Sequence, residues 1–399
     1  MPTYIVRPKA KIVSQSLSSI DRKFDVDSRK KQVEEVAQIY KENSTYQKLT
    51  QWSQEIEASQ DSHLLKNSTD IIISGSVIVE MSKEKAEETK REFPEFIILE
   101  DQPIDLIKPS QIKAIRKNEE QLKTEDLWHL DAIGWNNKSA TGKGVTIAVL
   151  DTGIDSSHPS LRGKVKQSFE FDTETNQIKA LDQSLDTEGH GTHVAGLICG
   201  DRIGVAPEAT LINGVMIPKG RGSLVNFVRA FDWVAQNPEI AIVNVSAGLR
   251  GFFTGLEDVI SDLLLVGVLP VCAVGNEGRN QSRSPGNYRD VLSVGASNEQ
   301  GKIASFSGGG QLTVNNHIYT VPNLVAPGEQ VYSAVVQGGY EAWNGTSMAT
   351  PIVSGVAALL LEKNPDLDVN DLREALLDSC KDLGFSEKRQ GQGLIHINF

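Results

Sequence analysis

Three residue types that together perform acyl transfer occur here within glycine-rich surroundings. Ser347 stands in Asn344-Gly345-Thr346-Ser347-Met348-Ala349-Thr350-Pro351, His190 in Gly189-His190-Gly191-Thr192-His193, and Asp151 in Val149-Leu150-Asp151-Thr152-Gly153-Ile154-Asp155. A serine hydroxyl is a weak nucleophile at neutral pH and needs a base. A histidine supplies one. An aspartate on its other ring nitrogen fixes the tautomer and stabilises the imidazolium. Asn276, in Ala273-Val274-Gly275-Asn276-Glu277-Gly278, adds a side-chain amide that can donate to an oxyanion beside the Ser347 backbone N–H. His193 and Asp155 are the nearest rivals for base and acid. These residues are far apart in sequence, so only a fold can join them.

Short apolar runs supply the elements. Val145–Leu150, Leu211–Met216, Ile240–Val245 and Leu269–Val274 are each followed by turn or helix signals, as in a parallel sheet covered on both faces. Ligands in such sheets bind at the carboxyl ends of the strands, where Asp151 and Asn276 fall. Ser347 precedes the apolar run Val353–Leu361, which places it at a helix N-terminus with Pro351 in the first turn. The first 107 residues read differently. Tyr4–Val6 is a strand. Val33, Val36 and Tyr40, then Leu49, Trp52 and Ile56, mark two amphipathic helices broken near Asn43-Ser44. Ile71–Ile73 and Val77–Val79 read as a hairpin or bent strand, Lys83–Phe93 as a helix stopped by Pro94, and Phe96–Leu99 as a last strand. Residues 108–126 are polar and mixed in charge, the pattern of a solvated linker or helix and the natural place for a processing cut.

The chain order Asp151, His190, Ser347, with the three motifs around them, resembles the subtilisin-like serine proteases (subtilases). The resemblance is strong over 127–399. It implies an α/β fold, a subtilisin-like three-layer sandwich with a mostly parallel sheet, preceded by a small α+β propeptide domain. The implied division is 1–107 as inhibitory and chaperone domain, 108–126 as linker with the processing site, and 127–399 as catalytic domain. Asp151, His190, Ser347 and Asn276 then carry catalysis, with His193 packed beneath the site, Asp155 capping a turn, and Thr346 adding a further hydroxyl around the site. The resemblance further implies an extended peptide substrate added to strand edges. Ser246, Ala247 and Gly248 form one wall, and Gly220 and Gly222 the other. Val77–Ile107 matches the part of a propeptide whose tail crosses the active site. The partners implied are a polypeptide substrate and the chain's own N-terminal domain as intramolecular inhibitor.

Several features depart from that pattern. Leu249-Arg250 stands where many relatives carry a glycine. Gly196–Pro207 runs through without the calcium-binding loop of secreted subtilisins, and Val321 and Asn323 replace acids before Ala326-Pro327-Gly328, so no metal and no cofactor is expected. Gln311–Thr320 is an inserted hairpin around Asn315-Asn316. Glu188 and Glu277 near the groove suggest a basic or polar residue near the cut.

Composition narrows the class. Lys+Arg 40 against Asp+Glu 52 gives a net charge of −12, a poor match for nucleic acid. The three cysteines, Cys199, Cys272 and Cys380, form no disulfide framework or zinc spacing, and Cys199 and Cys272 lie in apolar runs as core fillers. No apolar run has signal-peptide or transmembrane length, so no membrane is expected; with Met1 as the natural start, the protein is cytoplasmic. The first reading is therefore a self-inhibited zymogen of a serine endopeptidase. The alternatives are a maturation protease dedicated to one partner and a permanently self-inhibited binding module.

Overall fold

A computed structural model describes residues 1–9, 23–57, 62–64, 73–109, 111–135, 140–172 and 177–398. The N-terminal part contains β1 (Thr3–Pro8), α1 (Val26–Glu42), α2 (Ser44–Glu57), β2 (Ser62–Leu64), β3 (Val77–Met81), α3 (Lys83–Glu92) and β4 (Phe96–Glu100). Asp25 caps α1 by accepting from Ser28 N, and Ser82 caps α3 by accepting from Lys85 N. The strands form one sheet in the order β2-β3-β1-β4. The expected hairpin differs. β3 pairs with Ser62–Leu64, Ile73-Ser74 is a bend, and Ile71 and Ile72 lie outside the described residues. Period-two alternation splits this sheet. Tyr4 and Val6 join Leu49, Trp52 and Phe96 in a small core, whereas Ile5 joins Val36, Tyr40 and Ile78 in a cluster shared with the larger part of the molecule.

The segment after β4 is more ordered than its polarity suggested. β5 (Pro103–Leu106) precedes the expected linker, and within that linker Gln111–Lys117 forms a strand, β6, paired to another element. The larger part follows with α4 (Trp128–Ala132), β7 (Thr146–Asp151), β8 (Val165–Phe171), β9 (Ile178–Ala180), α5 (His190–Cys199), β10 (Thr210–Val215), β11 (Gly222–Ser223), α6 (Leu224–Gln236), β12 (Ile240–Val245), β13 (Ala247–Arg250), α7 (Glu257–Leu265), β14 (Leu269–Ala273), β15 (Arg283–Ser284) and β16 (Leu292–Ser297). It ends with β17 (Gly310–Val314), β18 (His317–Val321), β19 (Leu324–Pro327), β20 (Val331–Ala334), β21 (Tyr340–Asn344), α8 (Thr346–Lys363) and α9 (Val369–Asp378).

The central sheet runs β19-β16-β14-β12-β7-β10-β8-β9, parallel except for β9. Alternate residues of β7 face opposite layers. Ile147 and Val149 pack with Val194 of α5 and Ile352 of α8, whereas Ala148 and Leu150 pack with Phe227 of α6 and Ile260 of α7. This is a three-layer α/β sandwich. The inserted hairpin forms as β17–β18, turning at Asn315 (φ 49) and Asn316 (φ 64), two left-handed positions that asparagine tolerates. Among the described residues no helix is long and apolar enough to cross a membrane.

Candidate active site

Asp151 ends β7 and His190 opens α5, and the fold joins them. His190 Nδ1 lies 2.8 and 3.0 Å from the two Asp151 carboxylate oxygens, with both side chains buried. His190 Nε2 is also buried and has no hydrogen-bond partner. Glycine is required beside it. A Cβ on Gly191 would fall 2.0 Å from the Gly153 carbonyl oxygen, so the helix could not approach the end of β7 with any other residue there.

Ser347 is the second residue of α8, as helix-start reasoning required, and its Oγ donates to the Ile107 carbonyl at 2.8 Å. Pro351, expected in the first turn, is the sixth residue of this helix. A proline there has no N–H for the carbonyl four residues earlier, which is that of Ser347. Ser246 Oγ lies 3.5 Å from the Ser347 carbonyl and supplies the missing donor. Asn276 is fixed through its oxygen, which accepts from Thr346 N and Thr346 Oγ1, both at 2.9 Å. Its Nδ2 is thereby turned outward and donates to the Lys108 carbonyl at 2.9 Å. The Thr346 hydroxyl, expected near the site, thus helps to hold the Asn276 oxygen.

The rivals take other places. His193 stacks on Trp343 at 4.4 Å, its Nε2 is 3.0 Å from the Glu341 carbonyl oxygen, and burial lowers its pKa to about 3. Asp155 accepts from Ser157 N, Ser157 Oγ and Gln337 N, a turn cap. Cys199 and Cys272 are buried, and burial pushes the Cys199 thiol up to about 12, so neither is poised to react.

The chain's own segment 103–107 lies across this site as a strand. β5 is antiparallel between β11 and β13, pairing Ile104 with Gly222, Asp105 with Gly248 and Leu106 with Ala247. Ile107 N donates to the Ser246 carbonyl at 3.1 Å. Ser246, Ala247, Gly248 and Gly222 thus bond to the chain's own extended segment 104–107. Gly220 does not share in the pairing. It sits in the preceding turn at φ +72, beside the Glu188 carboxylate.

Charge around the groove differs from expectation. Glu277 Oε1 accepts from Arg283 Nε (2.8 Å) and Nη2 (2.6 Å), and Arg283 Nη1 donates to the Gly248 carbonyl. Glu277 is therefore already paired, which removes its support for a basic preference. A cavity of about 390 Å³ between Ile107 and these residues is lined by both signs, with Arg250, Arg283 and Glu277 on its wall. Asp186 was missed in sequence. Its carboxylate accepts from Thr152 Oγ1, Glu188 N, Gly189 N, Thr192 N and Thr192 Oγ1, tying the loop after β7 to the first turn of α5. An aspartate shortly before a helix start was the available signal.

Comparison with known proteins decides the family. The description Peptidase_S8, Subtilase family, matches residues 142–394. The chain belongs to the subtilase family. It is 35% identical over 278 residues to "Subtilisin" of Bacillus pumilus, covering 67% of this chain and 94% of that protein. It is 35% identical over 278 residues to "Subtilisin E" of Bacillus subtilis (67% and 68%), and 32% identical over 318 residues to "Intracellular serine protease" of Paenibacillus polymyxa (74% and 89%). As a subtilase, the protein is a serine endopeptidase acting on polypeptides. Among its described residues no group of three or more His, Cys, Asp or Glu side chains gathers as metal ligands.

Proposed function

We propose that this subtilase is made as a self-inhibited zymogen and hydrolyses peptide bonds through an acyl-enzyme on Ser347, its own first substrate being the Ile107–Lys108 bond. One observation carries the reading. The Ile107 carbonyl receives the Ser347 hydroxyl at 2.8 Å while the Ile107 N–H is held by the Ser246 carbonyl. In the reaction, Ser347 Oγ bonds to the Ile107 carbonyl carbon as His190 Nε2 takes its proton. Asp151 holds Nδ1 and stabilises the imidazolium. The oxyanion takes hydrogen bonds from Ser347 N and from Asn276 Nδ2, which leaves the Lys108 carbonyl for it. Loss of one such donor from a subtilisin costs about 3 kcal/mol in the barrier. The tetrahedral adduct collapses with His190 returning the proton to the Lys108 nitrogen. Water then enters by the same route and frees the Ile107 carboxylate.

The N-terminal 107 residues act as inhibitor because they fill the groove and anchor elsewhere. Tyr40 Oη donates to Asp262 at 2.7 Å, Ile73 N and Ser74 N donate to Asp232, and the buried Arg29 donates to the Val266 and Ile240 carbonyls. A permanently closed complex is the second reading, favoured by strand pairing on both sides of the bond, through β5 and β6. Intact mass of the purified full chain beside Ser347→Ala separates them. The zymogen reading expects wild type alone to split after Ile107. Two whole chains, neither labelled by a fluorophosphonate, favour the closed complex.

A further inference from the structure

The chain does not leave the molecule after the bond that faces Ser347. Residues 111–117 run antiparallel along β21, with Gln111 opposite Asn344, Ile112 opposite Trp343, Lys113 opposite Ala342 and, past an irregularity, Lys117 opposite Tyr340. β21 is bonded on its other side to β20, so β6 occupies the edge of that sheet. Were β6 to leave, β21 would present a row of unpaired backbone groups, the ordinary template for another extended chain. The far end of this edge has a defined chemistry. Lys117 Nζ lies 2.6 and 2.7 Å from the two Asp126 oxygens and 4.8 Å from the centre of the Tyr332 ring. Beside it opens a cavity of about 380 Å³ lined by Glu125, Asp126, Glu299, Glu329 and Tyr332, with Ala342 of β21 in its wall. Carboxylates next to an aromatic face suit an ammonium or guanidinium group.

We propose that the edge of β21, with the Asp126–Tyr332 corner at its end, is a docking strand for the polypeptide that follows the cut bond. It favours an extended segment with lysine or arginine about ten residues beyond the cut. Residues 111–117 are its first occupant, and Lys117 is the tenth residue after Ile107. The inference rests on the reading that Ile107–Lys108 is the bond presented to Ser347. Backbone pairing makes the edge tolerant of sequence, and the corner adds the choice of charge. After processing, the new N-terminal segment competes with the downstream part of long substrates and not with short ones.

Arg116 Nε donates to the Gly338 carbonyl at 3.0 Å and Nη2 to the Val336 carbonyl at 2.6 Å. The test therefore uses processed enzyme carrying Arg116→Ala and Lys117→Ala, which loosens its own segment from the edge. Two quenched-fluorescent peptides share every residue except the tenth after the cut, lysine in one and glutamate in the other. The expected kcat/KM ratio is roughly tenfold in favour of lysine, the factor that about 1.4 kcal/mol produces, carried by KM and abolished by adding Asp126→Asn. A synthetic peptide of residues 108–120, added in trans, should inhibit cleavage of the long lysine peptide and leave unaffected a four-residue anilide with no residues beyond the cut. Equal rates on the two peptides, or equal inhibition of the anilide, would overturn the docking strand. Failure of the full chain to split after Ile107, read separately by intact mass, would instead overturn the reading beneath it.

Discussion

His190 owes its position to more than Asp151. Asp186 gathers the N–H groups of Gly189 and Thr192 and the hydroxyls of Thr152 and Thr192 on one carboxylate, and Thr152 Oγ1 in turn accepts from Gly191 N at 3.1 Å. The loop after Asp151 and the turn that carries His190 are therefore one hydrogen-bonded body. Asp186→Ala should lower kcat on the order of 10²-fold, the cost of a misplacement near 1 Å, with KM little changed. Asp186→Asn should recover part of the loss, because one acceptor oxygen is kept. Steady-state kinetics of the two variants checks this, and an effect confined to KM would contradict it. Glu277 teaches the opposite lesson. A carboxylate beside Asn276 looks like a free rim charge in sequence, yet Arg283, only six positions on, pairs with it.

Helix ends join the N-terminal part to the sandwich. Arg29 of α1 is buried, and its Nε donates at 2.8 Å to the Val266 carbonyl, at the C-terminal end of α7 where helix carbonyls lack partners. Burial lowers its pKa to about 9, so it is still charged at neutral pH. Arg29→Ala removes the buried, charge-assisted hydrogen bonds to the Val266 and Ile240 carbonyls and should cost roughly 3 kcal/mol, seen as a lower denaturant midpoint of the full chain. Asp232 of α6 is buried beneath the Ile73–Ser74 bend, and burial raises its pKa to about 7. A carboxyl with a raised folded pKa binds its proton more tightly in the folded state, so its contribution is present below the ordinary carboxyl range and is lost as pH rises towards about 7. Wild type should thus lose stability relative to Asp232→Asn between about pH 4 and 7. Melting curves of both across that range provide the check, and parallel curves would contradict it.

At the scale of the whole molecule, two parts of unlike composition share one cluster of buried side chains. Ile5, Val36 and Ile78 pack in continuity with Phe227 and Ile260. The three cysteines are free, and among the described residues no group of three or more His, Cys, Asp or Glu side chains gathers as metal ligands. Chelation should leave the melting temperature unchanged; a fall that depends on chelator would reveal a cation bound to the native state.

Local chemistry made much of this legible in one dimension. The glycines flanking His190, the helix start at Ser347, the apolar runs of the parallel strands and the break at Asn43-Ser44 all act through near neighbours, so the α/β sandwich and its candidate residues were written in the sequence. Strands β5 and β6 were not. β5 is only four residues long and β6 lies in a polar stretch of mixed charge, and both pair with the edges of β11, β13 and β21, more than a hundred positions away. The bond facing Ser347 and the Lys117 corner follow from that placement. Strand formation at an edge is decided by the partner's free backbone groups, and those exist only once the rest of the chain has folded.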